Sequence, residues 1–395
     1  MRSRRDFLKS SALVSLAPLI PSFLTTSLRA GDLKTDDRIL VVIQLDGGND
    51  GLNTVIPFAD EGYSKNRREL RIPDKDILKL NDSLGLNPGM TSAAKLFEEG
   101  RLAIVQGVGY PNPNRSHFES MSIWHHAKVD ESQHDSIGWL GRTCDGIRQA
   151  GSSVPDSIYL GSEAVPVAIR GRRANPVALE NESDLVLSGG VPGPVAGSQA
   201  GDDIAAFVNR TVDSSFQAAR QFAESKDSAQ GTATYPETKL ARKLRLVSRL
   251  MKLGGGTRIF YASQSGYDTH SAQLYSHRQL LSEFSGALKA FLTDLKDSKL
   301  DDRVVVMAFS EFGRRVDENA SAGTDHGAAG PVFVAGSPVK GGLVGQHPSL
   351  SDLGEGDLKM QVDFRQVYAT LLDGWLKVDS PPLLGGQFSA LPLIG

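Results

Sequence analysis

Residues 303–313 read RVVVMAFSEFG, and this stretch decides the fold class. Its apolar residues run without interruption, instead of alternating with polar ones, and the run stops at Ser310 and Glu311. A continuous β-branched run is typical of a strand that is buried on both faces, as the strands of parallel sheets are. The stretch therefore predicts an interior strand that ends on a carboxylate.

Three other segments share this pattern of an apolar run followed by a polar or glycine-rich turn. They are RILVVIQLDGGNDGLN (38–53), RLAIVQGVGYPNPNRSHF (101–118) and TRIFYASQSGYDTH (257–270), and PVFVAG (331–336) is a candidate fifth strand. Apolar residues from 280 to 295 recur instead with the period of a helix. Strands that alternate with helices predict an α/β fold with a mostly parallel central sheet flanked by helices.

The length of 395 residues suits one large domain or two smaller ones. A stretch rich in Gly, Pro and Ser at 186–203 is typical of a long surface loop. We interpret it as an insertion within a single α/β domain that spans 31–395.

The first 30 residues have the architecture of an export signal. A basic segment, SRRDFLK at 3–9, precedes an uncharged and moderately apolar stretch. Its Arg4-Arg5 pair, followed by Phe-Leu-Lys, closely resembles the bacterial twin-arginine signal. The alternative is a transmembrane anchor, but Pro18 and Pro21 make the stretch a poor membrane-spanning helix.

We therefore expect a twin-arginine signal peptide at 1–30 and the twin-arginine translocation machinery as a partner. The protein is expected in the bacterial periplasm or outside the cell, without a stable membrane anchor.

Composition argues against several classes of protein. With 40% hydrophobic and 23% charged residues and a formal net charge of −3, the chain has no basic excess, so we expect no nucleic-acid partner. Cys144 is the only cysteine, which rules out a disulfide within the chain. A redox enzyme is poorly supported, because the sequence has no cysteine cluster and no G-x-G-x-x-G after a strand.

Polar residues follow the apolar runs at the positions where a ligand would bind. In open α/β sheets, ligands bind beyond the carboxyl ends of the strands. Asp46, Asp268, His270 and Glu311 stand after three of the runs, and a late DHG motif adds His326. Carboxylates and imidazoles together suit a divalent metal such as zinc, manganese, magnesium or calcium.

Several short motifs together resemble a known family. LDGGNDGLN, RSHF, GWLGR, GYDTH, SEFGR, DHG and VDFRQVYATLL resemble the bacterial family known as domain of unknown function 1501. That family is similar to the alkaline phosphatase and sulfatase superfamily, and the resemblance covers residues 38–378. It implies a hydrolase or transferase of phosphate or sulfate esters that uses one or two divalent metal ions.

The resemblance also implies roles for individual residues. Ser116 matches the nucleophile, and Asp268, His270 and His326 match the ligands of a first metal. Asp46 and Glu311 match ligands of a second metal. The superfamily often places His after that last carboxylate, where this chain has Phe312, so the second metal site is in doubt. Further candidates for substrate contact or for support of the ligands are Asp50, Asn53, His117, Arg142, Arg314, Asp325 and Arg365.

Each of these assignments has a structural alternative. Asp46 begins an Asp/Asn/Gly-rich segment that forms tight turns readily. Ser116 and Glu119 spell a capping box at a helix start. Glu311 could pair with Arg314 or Arg315, and His117 could sit on a helix surface or at the rim of an active site. Asp325 would either bind metal or orient His326, and salt bridges are the alternative for Arg142 and Arg365.

Two functions follow as hypotheses. The first is an exported, metal-dependent hydrolase of phosphate or sulfate esters, acting on a small-molecule or polysaccharide ester. The second is a non-catalytic exported protein that binds a ligand or has a structural role and keeps the fold with a degenerate metal site. Phe312 is the feature that favours the second.

Overall fold

A computed structural model describes residues 38–147, 155–174, 176–180, 233–253 and 256–395. Within these residues, nine strands form one central sheet. The strands are β1 (Ile39–Asp46), β2 (Leu102–Gly109), β3 (Ser157–Leu160), β4 (Pro176–Leu179), β5 (Ile259–Ser265), β6 (Val304–Phe309), β7 (Gly330–Ala335), β8 (Gly342–Val344) and β9 (Val362–Asp363).

The sheet is mostly parallel, as the apolar runs predict. Its order is β8-β2-β7-β6-β1-β5-β3-β4, with β9 beside β2. Strand β7 alone among these nine runs antiparallel to its neighbours, β2 and β6. The candidate fifth strand is therefore real, but its direction differs from that of the rest of the sheet.

Both faces of the sheet are covered, which explains why the strands lack polar alternation. Val41, Ile43 and Leu45 of β1 pack into one hydrophobic cluster, and Leu40 and Val42 pack into the other. Each of these five side chains is at most 1% exposed. Burial on both faces requires an apolar residue at every position, which is the pattern of the sequence.

Nine α-helices lie among the described residues. They are α1 (Gly51–Thr54), α2 (Glu61–Asn66), α3 (Thr91–Glu98), α4 (His117–His126), α5 (Trp139–Ile147), α6 (Lys239–Lys252), α7 (Gln273–Asp297), α8 (Phe364–Ala369) and α9 (Pro381–Leu384). A π-helical segment, Thr370–Leu376, continues α8. Helices α3, α6 and α7 cover one face of the sheet, while α4, α5 and α8 cover the other.

Short elements complete the described part of the chain. Two small antiparallel sheets pair Leu353–Gly354 with Asp357–Leu358, and Gly85–Leu86 with both Val55–Ile56 and Leu78–Lys79. Single 3₁₀ turns are Pro88–Met90, Glu131–Gln133, Val167–Ile169 and Asp301–Arg303.

Two sequence predictions fall outside the described residues, namely the signal peptide at 1–30 and the insertion at 186–203. No helix within the described ranges has the length and apolarity that crossing a bilayer requires.

The central strands bring their carboxyl ends to one edge of the sheet. β1 lies between β5 and β6, and all three are parallel. Asp46 at the end of β1 is level with Ser265 at the end of β5, and Gln44 is level with Phe309 at the end of β6. The loops that follow these strands therefore meet, and they carry the polar residues predicted to form a site.

Candidate metal centre

Asp268, in the loop after β5, is the hub of a cluster of imidazoles. Its Oδ1 atom lies 3.0 Å from His270 Nε2, 3.2 Å from His326 Nε2 and 3.4 Å from His117 Nε2. Donor atoms of His117, Asp268 and His326 all lie within 4.8 Å of one another. His270 joins them from the more exposed side, with its Nε2 2.9 Å from His326 Nε2.

The spacing of neighbouring atoms in the cluster is close to that of ligands around one ion. A tetrahedral zinc ion with bonds of roughly 2.0–2.1 Å places its ligand atoms roughly 3.3 Å apart. The cluster spans 2.9–3.4 Å between neighbouring donor atoms. Nitrogen donors with one carboxylate oxygen are a donor set that zinc favours.

His117 gives the clearest indication that the cluster fits a metal ion. Its Nδ1 atom lies 2.8 Å from Glu311 Oε1, a bond that takes the imidazole proton on that side. The Nε2 atom on the other side is buried and makes no hydrogen bond. Leaving a buried polar atom without a partner costs about 1–3 kcal/mol, so such atoms need an explanation. A metal bound at Nε2 provides one.

The other two histidines are oriented in the same manner. His326 Nδ1 lies 2.8 Å from the carbonyl oxygen of Arg115, which fixes the proton on Nδ1 and leaves the Nε2 lone pair facing Asp268. His270 Nδ1 lies 3.2 Å from Asp325 Oδ1, and Asn319 donates to the same carboxylate oxygen. Supporting contacts of this kind are typical of metal-binding histidines. Asp325 thus contacts His270, whereas the sequence left two roles open for it, as a metal ligand or as a support for His326.

Arg314 holds Asp268 in place. Its guanidinium is fully buried and donates to Asp268 Oδ1 at 2.6 Å, and also to the carbonyl oxygens of Gly47, Gly48, Tyr267 and Thr324. Burial alone would raise the pKa of Asp268, but the Arg314 guanidinium outweighs it and lowers the pKa to about 2. Asp268 is therefore an anion at any physiological pH.

Glu311, predicted as a direct metal ligand, lies behind His117 and outside the donor cluster. It is fully buried, and besides His117 it accepts from the Gly47 amide at 3.0 Å and from the Ser310 hydroxyl at 3.0 Å. In this arrangement its carboxylate orients the candidate ligand His117. Its hydrogen bond to His117 raises the pKa of that imidazole.

Phe312 occupies the position where the superfamily often has histidine. Its ring packs 4.9 Å from the His117 ring and 5.0 Å from the His326 ring, centroid to centroid. This aromatic side chain cannot bind metal and instead packs against two of the candidate ligands.

A cavity of about 510 Å³ opens beside the cluster. Asp46, His117 and Asp268 line it, and so do Phe118 and Ser122 of α4. Asp46 is half-buried and accepts a hydrogen bond from Gln44, but the described contacts do not join it to the donor cluster. Burial, with a contribution from the charge of Glu311, raises the pKa of Asp46.

The described contacts of Asp50 and Asn53 are all structural. Asp50 is fully buried and forms a two-pronged ion pair with Arg67 at 2.5 and 3.0 Å. Asn53, also buried, donates to the carbonyl of Leu70 and accepts from the hydroxyl of Tyr63. These contacts fix the turn after β1 and do not reach the donor cluster.

Ser116 does stand at the start of α4, but it does not form the predicted capping box. Its side chain makes no capping hydrogen bond, and Glu119 instead accepts from the side chain of Asn114. The backbone turn positions the next residue, His117, so that its ring enters the cluster.

Arg142 and Arg365 do not act as anion clamps in this arrangement. The Arg142 guanidinium donates to the carbonyl oxygens of His126, Ile137 and Leu383. Arg365 pairs with Asp363 at 2.6 Å, which is the salt bridge expected as its alternative.

Sequence reasoning missed the role of His117 as a donor. The RSHF motif named the residue, but a histidine at a helix start gives no sign of which way its ring points. One feature of the sequence could have indicated it. A carboxylate at a strand end and a histidine elsewhere in the chain often pair, because metal-binding histidines commonly donate their other N–H to a carboxylate.

The family of the chain follows from comparison with known proteins. The family model described as Protein of unknown function (DUF1501) matches residues 37–381. The chain belongs to this family. The match includes all four residues of the donor cluster and confirms the resemblance drawn from the motifs. Among curated proteins, none matches the sequence.

Several solved structures are similar in fold to this DUF1501 protein. A protein in the alkaline phosphatase superfamily from Vibrio parahaemolyticus is 11% identical with a TM-score of 0.42, over 94% of this chain and 80% of that one. The C-terminal periplasmic domain of EcEptC from Escherichia coli, in complex with Zn, is 7% identical with a TM-score of 0.39, over 78% and 75%.

The PsFucS1 sulfatase from Pseudoalteromonas sp. is 9% identical with a TM-score of 0.39, over 92% of this chain and 71% of that one. At these values the likeness concerns the general arrangement of the fold and carries no information on activity.

Proposed function

We propose that this protein is an exported, metal-dependent hydrolase of phosphate or sulfate esters. The observation that carries the proposal is the buried Nε2 atom of His117, which has no hydrogen-bond partner and lies 3.4 Å from Asp268 Oδ1. The ester class rests on the motifs that resemble the alkaline phosphatase and sulfatase superfamily.

His117, Asp268 and His326 would hold the metal, with His270 as a fourth donor. When bound there, a divalent ion neutralises charge on the ester group and polarises its oxygen. The chain itself contributes an ionised Asp268, kept so by Arg314, and imidazoles that Glu311, Asp325 and the Arg115 carbonyl hold in fixed orientations. The adjacent cavity of about 510 Å³ is large enough for the alcohol portion of a small ester.

Ester hydrolysis also requires an oxygen atom that attacks the ester. The family motifs imply Ser116, at the start of α4, where helix amides favour a bound anion. Among the described residues, no imidazole or carboxylate contacts the Ser116 hydroxyl.

The experiment compares metal-stripped and reloaded protein on a panel of phosphate and sulfate esters. We expect the stripped protein to be inactive and the reloaded protein to hydrolyse at least one ester. His326→Ala and Asp268→Ala should lose both the metal and the activity, while His347→Ala, a half-buried histidine away from the cluster, should keep both. Turnover that persists without metal would refute the proposal.

The alternative is a binding protein that retains one metal without catalysis. Phe312 favours it, because its ring packs against the rings of His117 and His326. It predicts one tightly held metal ion and no turnover of any ester in the same experiment.

A further inference from the structure

One wall of the cavity beside the metal centre is a face of helix α4. Phe118, Met121, Ser122 and His125 line this wall, and their spacing of three and four residues puts them on one side of the helix. His117 and Asp268 line the same cavity. The Ser122 hydroxyl is therefore a nucleophile candidate beside the space where an ester would bind.

Ser122 has a histidine in contact with its hydroxyl. Its Oγ atom lies 3.0 Å from Nδ1 of His134, which follows in the loop after α4. His134 Nε2 lies 2.8 Å from the carbonyl oxygen of Lys128. A carbonyl oxygen only accepts, so the proton of a neutral His134 sits on Nε2. The lone pair on Nδ1 then faces Ser122 and can accept its hydroxyl proton.

His126 holds this arrangement together from the other side. Its Nδ1 atom lies 2.7 Å from the backbone oxygen of Ser122 and its Nε2 atom 2.7 Å from the backbone oxygen of Asp135. The Nδ1 atom also lies 3.2 Å from the Ser122 Oγ atom. The closer carbonyl oxygen only accepts, so it favours the proton on Nδ1, and that nitrogen then has no lone pair for the Ser122 proton. Its ring stacks on that of His134 at 4.2 Å and 12° between planes, which fixes the orientation of the His134 ring.

We propose that Ser122 is the nucleophile of the ester hydrolysis inferred above and that His134 is its general base. The inference rests on that proposed function for its substrate. A serine and a histidine within hydrogen-bond reach, with the histidine oriented by a third group, form the arrangement that activates a hydroxyl. Ser116, which the motifs imply for this role, has no such partner among the described residues.

The proposed hydrolysis of a phosphate ester proceeds in two steps. The Ser122 Oγ–P bond forms while the bond from phosphorus to the alcohol oxygen breaks. The Oγ proton passes to His134 Nδ1 and from there to the departing alcohol oxygen. Water then attacks the phosphorus of the phosphoserine and gives a proton to His134. The P–Oγ bond breaks, His134 returns that proton to Ser122 Oγ, and phosphate is released.

Covalent capture tests the assignment without requiring turnover. A fluorophosphonate probe reacts with an activated serine, forming an Oγ–P bond and releasing fluoride, with the hydroxyl proton going to the base. We expect one probe molecule per chain, located on Ser122 by peptide mass spectrometry. His134→Gln should slow labelling on the order of 10²-fold or more, as loss of a general base does. Ser132→Ala, an exposed serine of the same loop, should label at the unchanged rate.

Several results would overturn the inference. They are a label on Ser116, an unlabelled protein that hydrolyses esters, or a Ser122→Ala variant that keeps full activity and its metal. Circular dichroism and the metal content of Ser122→Ala and His134→Gln distinguish a lost nucleophile from lost folding. Labelling of Ser122 in a protein that binds no metal and turns over no ester would leave this assignment standing and refute the proposed function alone.

Discussion

At the scale of single residues, the site is organised around one carboxylate oxygen that four positive or polar groups approach. Asp268 Oδ1 has Arg314 at 2.6 Å and imidazole nitrogens at 3.0, 3.2 and 3.4 Å. Arg314 keeps Asp268 charged, and Glu311 fixes the ring of His117. The candidate metal ligands therefore depend on buried residues outside the donor cluster.

Replacing Glu311 by Gln tests that dependence. The amide keeps the size of the side chain but loses the charge that fixes the His117 proton on Nδ1. We expect zinc affinity to fall about 10- to 100-fold, as it does when a residue that hydrogen-bonds to a metal ligand is lost. Calorimetric zinc titration measures it.

The matched control for that experiment is Glu98→Gln, on the exposed end of α3, which should bind zinc as the unmodified protein does. An unchanged zinc affinity in Glu311→Gln would show that Glu311 does not support the metal centre.

The pH dependence of metal binding follows from His117. Metal needs the unprotonated Nε2 atom, and the hydrogen bond to Glu311 raises the pKa of this imidazole above its ordinary value of 6.5. Protons therefore compete with metal at a higher pH than at an ordinary histidine, and zinc affinity should rise as the pH rises through that raised pKa. Asp268 does not contribute to this change, because its pKa of about 2 keeps it ionised throughout.

Zinc titrations at several values between about pH 6 and pH 8 check this, because that interval brackets an ordinary histidine. In Glu311→Gln the rise in zinc affinity should move to lower pH, because the carboxylate that raises the pKa of His117 is gone. Affinity that is flat or falls over this interval would contradict the assignment of His117 as a ligand.

At the scale of elements, the turn after β1 links the sheet to the site. Gly48 has a φ of +75°, and a Cβ atom there would lie 2.3 Å from the Phe312 ring. Gly47 has a φ of +117°, and its Cβ would lie 2.5 Å from the backbone nitrogen of Asp268. Only glycine fits both positions, because each combines a left-handed backbone with a close neighbour.

Gly48→Ala should destabilise the protein by about 1–3 kcal/mol and weaken zinc binding, because the methyl group pushes Phe312 against the rings of His117 and His326. Urea unfolding and zinc titration measure the two effects. Gly146→Ala is the comparison, since this exposed helical glycine has nothing within 4 Å of an added Cβ. It should be neutral or slightly stabilising. Equal stability of the two variants would show that the turn tolerates a side chain.

The sequence predicts the elements better than their directions. Continuous apolar runs identify β1, β2, β5 and β6, because a strand covered on both faces must be apolar throughout. The antiparallel course of β7 cannot be read from PVFVAG, since an apolar run is the same in either direction.

The residues of the candidate site were predicted unequally. Asp268 and His270 could be predicted because they share one short loop after a strand, and His326 because its DHG motif resembles that of the family. The indirect role of Glu311 and the donor role of His117 could not, because both depend on the direction of a side chain, which only packing decides.

At the scale of the whole molecule, the donor cluster is assembled from distant parts of the sequence. His117 follows β2, Asp268 follows β5 and His326 precedes β7. The centre therefore forms only when the sheet has assembled, so metal binding should be coupled to folding. A protein that folds before export can acquire its metal in the cytoplasm.

Export should depend on the arginine pair near the N-terminus. Changing Arg4 and Arg5 together to Lys preserves charge but removes the side chains that resemble the twin-arginine signal. We expect the precursor to accumulate in the cytoplasm, as cell fractionation would show, whereas Arg2→Lys should be exported normally. Export of the Arg4/Arg5 variant at the unmodified rate would contradict a twin-arginine route.

The most direct test of the central claim is anomalous diffraction from a crystal of the zinc-loaded protein, recorded on both sides of the zinc absorption edge. We expect one strong anomalous peak bonded to His117 Nε2, Asp268 Oδ1 and His326 Nε2, with His270 as the adjacent donor. A zinc-saturated crystal with no peak among these atoms, or with its peak elsewhere, would contradict it.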